Sequence, residues 1–235
     1  MKNSSSVTAA HILDDPIWNS LVTDHSRFSI GGELAKRYPA EIGPFVGVRE
    51  MTREAFDELE RLLKPGERLY LVGREEPFPT DLKVGHHEPI TQMIAEQRVP
   101  IVEIGQEVTV LTEADISDML ELIELTFPGY FRAETRKLGT YIGIRDNGKL
   151  VAMAGERMSM TGFREVSAVC THPDYRGRGY ANHLMAVLMK QMFDEGIRPF
   201  LHVDIDNAKA KRVYERLGFK ERRDMPLKAV SLNNE

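Results

Sequence analysis

The stretch that decides the fold is Val169-Cys170-Thr171-His172-Pro173-Asp174-Tyr175-Arg176-Gly177-Arg178-Gly179-Tyr180-Ala181. It predicts the end of a strand, a tight turn and the first turn of a helix. Gly177 and Gly179 lack the Cβ atoms that would keep a backbone away from a ligand. A helix that begins here directs unpaired N–H groups and the positive end of its dipole at one point, which favours phosphate oxygens. Because Arg176 and Arg178 add positive charge, the stretch predicts a strand–loop–helix cradle for a pyrophosphate.

Two common phosphate-binding signatures do not match this cradle. The dinucleotide fingerprint requires G-x-G-x-x-G, whereas the chain has Gly177-Arg178-Gly179-Tyr180-Ala181-Asn182 and lacks the third glycine. The P-loop requires G-x-x-x-x-G-K-[ST], and the sequence contains no such run. The spacing therefore disfavours nucleotide binders of these two classes.

A known family has the observed spacing. The pattern Arg176-x-x-Gly179-x-Ala181, preceded by Thr171-His172-Pro173, resembles the acetyl-CoA-binding motif of the GCN5-related N-acetyltransferases, the GNAT superfamily. The later run Asn207-Ala208-Lys209-Ala210-Lys211-Arg212-Val213-Tyr214-Glu215-Arg216-Leu217-Gly218-Phe219 resembles its second signature. Together the two motifs most resemble the FR47-like branch, which is shared with glycine N-acyltransferase-type enzymes. The resemblance covers residues 105–232.

The resemblance implies an α/β (α+β) fold of the GNAT type. Its mixed central sheet would contain a βαβ acyl-CoA-binding unit, with a smaller α/β region in front of it. We expect a boundary near Val99-Pro100, with an N-terminal region over residues 1–100 and the acetyltransferase domain over residues 101–235. Residues 44–73 read as strand, helix and strand, which fits either a degenerate GNAT-like half or an unrelated extension that covers part of the sheet.

Composition limits the function classes. The chain has 235 residues, a net charge of −5 and a pI of about 5.9, which disfavours a general nucleic-acid binder. Cys170 is the single cysteine, so an internal disulfide and a site of several thiolates are excluded, and we expect no metal. No apolar run reaches the length of a signal peptide or a membrane span, so we expect a cytoplasmic protein without membrane partners. The sequence is compatible with either a monomer or a homodimer.

Local signals predict most elements of the chain. Thr52 predicts a helix cap, followed by a helix to about Leu63, and the segment 75–89 is interpreted as a loop. The spacing predicts a helix over residues 89–96. Asp146-Asn147-Gly148 is the strongest hairpin signal. Residues 164–205 read as strand, helix and strand, with Gly196 ending the helix, which predicts a crossover between parallel strands.

The resemblance also implies which residues contact acetyl-CoA. Backbone groups of Val169 and Thr171 would pair with the pantetheine arm. Asn207 and Tyr214 are seven residues apart and share a helix face, about 10 Å apart along the axis. Asn207 equally suits a helix N-cap. The full predicted set is Val169, Cys170, Thr171, Arg176, Gly177, Arg178, Gly179, Tyr180, Ala181, Asn207, Ala210 and Tyr214.

The resemblance implies that Tyr214 is the general acid for the departing thiolate, because its counterpart in the family lies near the thioester sulfur. The alternative is a packed core tyrosine. Proton transfer from a phenol of pKa about 10 to a thiolate of pKa about 8.5 is uphill by about 2 kcal/mol. A hydrogen bond to the developing thiolate is therefore the larger expected effect. The oxyanion would be bound by the backbone N–H of Val169 or Cys170. The Cys170 thiol itself is expected to be packed rather than nucleophilic.

Glu165 is the predicted general base, because its position 11 residues before Arg176 resembles that of the catalytic glutamate in the histone-acetylating members of the superfamily. Alternation along residues 164–171 predicts one strand face with Val166, Ala168 and Cys170, and the other with Glu165, Ser167, Val169 and Thr171. On that prediction Glu165 lines the same groove as the pantetheine strand. The alternative is that Glu165 is a strand-end glutamate without a catalytic role. Glu156 and His172, which is titratable near neutral pH, are the other candidate bases.

The sequence thus predicts an acyltransferase. It would transfer an acetyl group from acetyl-CoA to the primary amine of a small molecule, by direct attack in a ternary complex. A non-catalytic acyl-CoA-binding module and acetylation of a protein amine are the alternatives. The identity of the acceptor and the acyl chain length lie beyond these motifs.

Overall fold

A computed structural model describes residues 11–102 and 104–233. The helices are α1 (Pro16–Val22), α2 (Arg53–Leu62), α3 (Ile116–Thr126), α4 (Tyr180–Asp194) and α5 (Ala208–Arg216). The strands are β1 (Ile30–Gly31), β2 (Ala35–Arg37), β3 (Val46–Val48), β4 (Leu69–Val72), β5 (Leu82–His86), β6 (Ile90–Ala95), β7 (Thr109–Val110), β8 (Tyr141–Asp146), β9 (Lys149–Met160), β10 (Phe163–Thr171), β11 (Arg198–Asp204), β12 (Phe219–Met225) and β13 (Leu227–Leu232).

Seven strands form the central sheet, in the order β12-β6-β11-β10-β9-β8-β7. The β10–β11 pair is parallel and is connected through α4, while the other neighbours in this sheet are antiparallel. The sheet is therefore mixed and contains the predicted βαβ unit. The predicted α/β fold class is confirmed.

Helices cover both faces of this sheet. The apolar side chains of α4, among them Leu184, Leu188 and Met192, pack with residues of β6, β8 and β11 in one cluster. On the other face, α3 packs on β8–β10 through Met119, Leu122 and Ile123, and α1 packs beside it. Positive φ values at Asn147 (49°) and Gly148 (84°) make the tight hairpin between β8 and β9, as predicted.

Two predictions for the segment before residue 100 were wrong. Residues 90–95 form strand β6 rather than a helix, and the expected loop contains strand β5. Strand β6 lies between β11 and β12, where Thr91, Gln92 and Met93 are fully buried. Because a central strand is covered on both faces, it lacks the alternation that identifies a strand in the sequence.

The N-terminal elements interleave with the C-terminal ones. Strand β13 pairs with both β4 and β5, and β6 belongs to the central sheet. A separate sheet contains β1, β2 and β3. The division of the chain into two domains near residue 100 stays a prediction, as does the comparison of residues 44–73 with a GNAT-like half.

A buried polar cluster joins α1 to the central sheet. The Ser20 hydroxyl donates to the Ser159 carbonyl (2.9 Å), and His25 contacts the Tyr38 hydroxyl (2.9 Å) and the Leu138 carbonyl (3.0 Å) through its two ring nitrogens. Burial lowers the pKa of His25 to about 4, so the ring is neutral at pH 7. This cluster fixes the N-terminal segment against the strands that carry the site.

Candidate active site

Strands β10 and β11 separate at the centre of the sheet. Their parallel pairing comprises Phe163↔Arg198, Arg164↔Pro199 and Glu165↔Phe200. Beyond Glu165, β10 continues to Thr171 and β11 to Asp204, so the facing edges of residues 166–171 and 201–204 are not paired with each other. We call this opening the strand fork. An extended ligand could use the free backbone groups along it, as a peptide uses a sheet edge.

A β-bulge changes the direction of the side chains along the fork. Ser167 faces Gly155 and Cys170 faces Met153, so β10 has one extra residue here, and Ala168 adopts a left-handed φ of 51°. Val166 and Val169 consequently both pack on the α4 side, while Ala168 and Cys170 pack on the α3 side. The alternation predicted that Val166 shares a face with Cys170 and that Glu165 shares a face with Val169. Both predictions were wrong, because the bulge reverses the alternation after Ser167.

The predicted cradle lies at the end of this fork. Gly177 and Gly179 have φ values of 80° and 82°, which strongly favour glycine, and α4 begins directly afterwards without a side-chain cap. A Cβ atom at Gly177 would meet nothing within 4 Å, and one at Gly179 would meet only Ile104, at 3.7 Å. Backbone conformation, rather than crowding by the protein, therefore accounts for both glycines.

Cations flank the start of α4. The side chains of Arg176 and Arg178 are exposed, and neither makes an ion pair with a carboxylate in the part of the chain that the structure describes. Arg178 stacks over the Tyr175 ring, 4.6 Å from its centroid, which keeps the guanidinium beside the turn. Tyr180 is buried in the core, so its backbone N–H rather than its phenol points to the helix end. The arrangement suits a phosphate.

Helix α5 carries the second predicted motif. The Asn207 side chain accepts from the Ala210 N–H (3.0 Å), which confirms its interpretation as a helix cap. Tyr214 is half-buried, with its ring edge-on to Phe219 at 6.1 Å. Burial raises the pKa of Tyr214, and the nearby Asp204 carboxylate raises it further. The phenol is therefore neutral and able to donate over the whole physiological pH range.

Glu165 lies where the fork opens, but its carboxylate is fully buried. It accepts two hydrogen bonds from Arg157 (2.8 and 2.6 Å) and one from Nδ1 of His202 (2.8 Å). Burial opposes ionisation, but the charge of Arg157 and these hydrogen bonds outweigh it and hold the pKa of Glu165 well below its usual range. Such a carboxylate is a poor proton acceptor, so the structure weighs against the predicted base, which stays untested.

The alternative bases are also engaged. Glu156 is buried, accepts from the Thr140 N–H (2.8 Å) and pairs with Arg164 (3.3 Å). His172 accepts from the Asp174 N–H (3.3 Å) and belongs to the turn before the cradle. The Cys170 thiol is buried, which raises its pKa to about 11 and confirms a packed rather than a nucleophilic cysteine.

Asp204 is a functional candidate that no sequence motif indicated. It is exposed at the end of β11, where the fork is open. Its charge raises the pKa of both Tyr214 and Tyr130, so its carboxylate lies within electrostatic range of both phenols. An exposed carboxylate near the phenol of Tyr214 is well placed to receive a proton from an amine. Tyr214 lies on α5, the helix that follows β11, and Tyr130 lies in the loop after α3.

One protein of known structure decides the family. It is assigned to the GNAT acetyltransferases and comes from Novosphingobium aromaticivorans; it is 36% identical, and the alignment covers 96% of this chain and all of that one, with a TM-score of 0.88. The chain belongs to the GNAT family. A family model described as the acetyltransferase (GNAT) family matches residues 110–219. The matched segment contains the strand fork, the cradle and α5.

Other GNAT proteins agree in fold. A GNAT structure from Kribbella flavida aligns over 95% of each chain with a TM-score of 0.64 at 14% identity, a likeness in fold alone. A mycothiol acetyltransferase from Brachybacterium faecium is 39% identical over 68 residues, which are 28% of this chain and 20% of that protein. The matching segment thus spans about a fifth of the length of this curated relative.

Within residues 11–102 and 104–233, no helix is long and apolar enough to cross a membrane. In the same ranges, no group of three or more His, Cys, Asp or Glu side chains is arranged to hold a metal ion.

Proposed function

We propose that this GNAT protein transfers an acetyl group from acetyl-CoA to the primary amine of a small molecule. The observation that carries the proposal is the strand fork, which opens between the cradle at the start of α4 and Asp204 at the end of β11, and Asp204 lies within electrostatic range of Tyr214 on α5. The diphosphate of CoA would bind at residues 176–181, and the pantetheine would lie along Val169 to Thr171. The backbone edges that β10 and β11 do not share, and the exposed side chains of Arg176 and Arg178, support this placement.

The reaction is a direct transfer in a ternary complex. The amine nitrogen attacks the thioester carbonyl carbon, the C–N bond forms and the C–S bond breaks. The amine loses one proton, and the CoA thiolate gains one. Backbone N–H groups near Val169 and Cys170 would stabilise the oxyanion, because the bulge leaves Ala168 and Val169 without partner residues in β9.

Tyr214 would act on the leaving group. Its raised pKa makes full proton transfer to the thiolate more costly than for a free tyrosine, so its contribution is a hydrogen bond to the developing charge. Asp204 is the carboxylate best placed by exposure to accept the amine proton, directly or through water. Glu165 as base remains the alternative, and its buried pairing with Arg157 instead supports a role in holding the fork.

A small-molecule acceptor is the finer part of the proposal. The resemblance to the FR47-like branch supports it, and the name of the curated mycothiol acetyltransferases supports acetyl transfer as the reaction. The match to those relatives is too short to propose mycothiol itself. Cytoplasmic location and a homodimer stay predictions.

The test is thiol release from acetyl-CoA in the presence of a panel of small primary amines and of lysine-containing peptides. We expect release that depends on a small amine, with the acetylated amine detected by mass spectrometry. Release driven only by peptides would replace the small-molecule acceptor with a protein amine. CoA binding without release for any amine would instead favour a non-catalytic acyl-CoA-binding module.

A further inference from the structure

A cleft of about 390 Å³ lies between the N-terminal elements and the loop after α3. We call it the side cleft. Its walls include Pro44, Glu67, Arg68, Tyr70, Gly129 and Arg132. The two sides come from separate parts of the chain, and the volume suits a small molecule rather than a folded partner.

The side cleft adjoins the end of the strand fork. The Tyr70 ring meets the Tyr130 ring edge-on at 4.9 Å and the His87 ring at 5.5 Å. From His87 the chain enters β6, in which Ile90 is the sheet partner of Asp204, and the Pro89 carbonyl accepts from the Ile205 N–H (3.3 Å). The rings of Tyr70, Tyr130 and His87 therefore lie beside the end of β11, where the proposed acyl transfer takes place.

The charge of the side cleft is positive. The carboxylate of Glu67 is neutralised by two hydrogen bonds from Arg37 (both 2.5 Å), and the pKa of Glu67 is lowered chiefly by them. Arg68 is exposed and makes no ion pair with any residue in 11–102 or 104–233. Arg132 donates from Nη1 to the backbone carbonyls of Gly129 and Phe131, and no described carboxylate pairs with it. Two guanidinium groups thus remain for an anion.

Building on the acetyl transfer proposed above, we infer that the acceptor is a small amine that also carries a carboxylate. The amine would lie at Asp204 and Tyr214, and the carboxylate would bind to Arg68 and Arg132 in the side cleft. Arginine side chains bind carboxylates through paired N–H donors, which gives both affinity and orientation. The rings of Tyr70 and Tyr130 would line the apolar part between the two ends.

The experiment compares ω-amino acids, from glycine to 6-aminohexanoate, with the alkylamines that lack the carboxylate. Thiol release is measured at equal concentrations of the uncharged amine, so that differences in amine pKa do not contribute. We expect a kcat/KM at least tenfold higher for one or more of the amino acids than for the matching alkylamines. Arg68→Gln should reduce this preference by about tenfold, the effect of losing one charge-assisted hydrogen bond.

A control variant separates the cleft from general charge. Arg61 is exposed on α2, belongs to the same N-terminal elements and does not line the side cleft, so Arg61→Gln should keep the preference. Arg132→Gln is the second test variant, and it should reduce the preference as Arg68→Gln does. A preference that survives in Arg68→Gln and in Arg132→Gln, or equal rates for amino acids and alkylamines, overturns the inference.

Binding provides a readout that does not require turnover. Thermal unfolding with CoA present is repeated with N-acetylated ω-amino acids and N-acetyl alkylamines, which have the structure of the products. Stabilisation by the acids alone, lost in Arg68→Gln, supports the inference even if turnover is slow. Stabilisation by CoA without any effect of the acids overturns the inference but leaves the proposed function standing. Failure of CoA itself to bind overturns both.

Discussion

Replacement of Tyr214 by Phe tests the chemistry at the fork. The phenol is half-buried and neutral, and it makes no hydrogen bond to another described residue, so its donor is available to the thiolate. A hydrogen bond to a charged group contributes about 1.5 to 3 kcal/mol, which corresponds to about a 10- to 100-fold loss of kcat. Because the bond strengthens only as the thiolate forms, the KM for acetyl-CoA should change little.

The pH profile adds an independent test of the same residue. The raised pKa of Tyr214 keeps the phenol protonated above the range of an ordinary tyrosine, so its ionisation should not reduce kcat of the wild type below about pH 10. Tyr175→Phe is the matched control, since it keeps the ring under Arg178 and loses only a hydrogen bond to Asp146. A kcat of Tyr214→Phe within twofold of the wild type, measured by thiol release, would refute the assignment.

Three further predictions concern binding and stability. Gly179→Val should abolish CoA binding in calorimetric titration while the fold is kept. Gly162 has a similar positive φ of 80°, so Gly162→Val is a control for backbone strain. Equal CoA affinity in the two variants would contradict the assignment of the cradle. Glu165→Gln should cost about 3 to 5 kcal/mol in urea unfolding because it leaves the charge of Arg157 buried without its partner, whereas a catalytic base would lose kcat without that cost. The pKa of His25 is about 4 in the folded state and 6.5 in the unfolded state, so the unfolded state binds more protons between these values. The free energy of unfolding should therefore fall by about 3 kcal/mol as the pH drops from 6.5 to 4. His25→Gln should remove this part of the pH dependence of stability, and an unchanged pH dependence would contradict a buried neutral ring.

Local chemistry explains why the βαβ unit could be predicted from sequence. The turn glycines, the Asn147-Gly148 hairpin and the apolar face of α4 each act within a few residues, so their signals are readable without the fold. The cap at Asn207 is equally local. The same locality places the predicted CoA contacts on the fork and on α5.

Long-range pairing explains what the sequence concealed. Ile90, Met93 and Ile94 have helical spacing, yet they belong to a strand that is covered on both faces by other elements. Gln92 is fully buried there because its amide donates to the Leu13 carbonyl (3.0 Å) and contacts His202 (3.1 Å). A polar residue whose partners are distant in sequence carries no local strand signal.

The candidate site also depends on structural features that the sequence does not signal. The left-handed Ala168 that produces the bulge has no sequence marker, since alanine does not favour that conformation, and without the bulge the predicted faces of β10 would have been correct. No motif indicates Asp204, because its electrostatic effect on Tyr214 and Tyr130 depends on how β11, α5 and the loop after α3 are arranged in the fold. The motifs therefore led to the proposed CoA contacts, and the proposed acceptor contacts required the fold.

The most direct measurement of the central claim is thermal unfolding with acetyl-CoA, CoA, NAD or ATP at equal concentration, compared with buffer. A ligand that binds only the folded state adds about 2.7 kcal/mol at 100 times its Kd, which for a chain of this size raises Tm by about 5 to 10 °C. The account predicts such a rise with acetyl-CoA and CoA and none with NAD or ATP. No rise with either CoA species would contradict the assignment of the strand fork and the cradle as a CoA site.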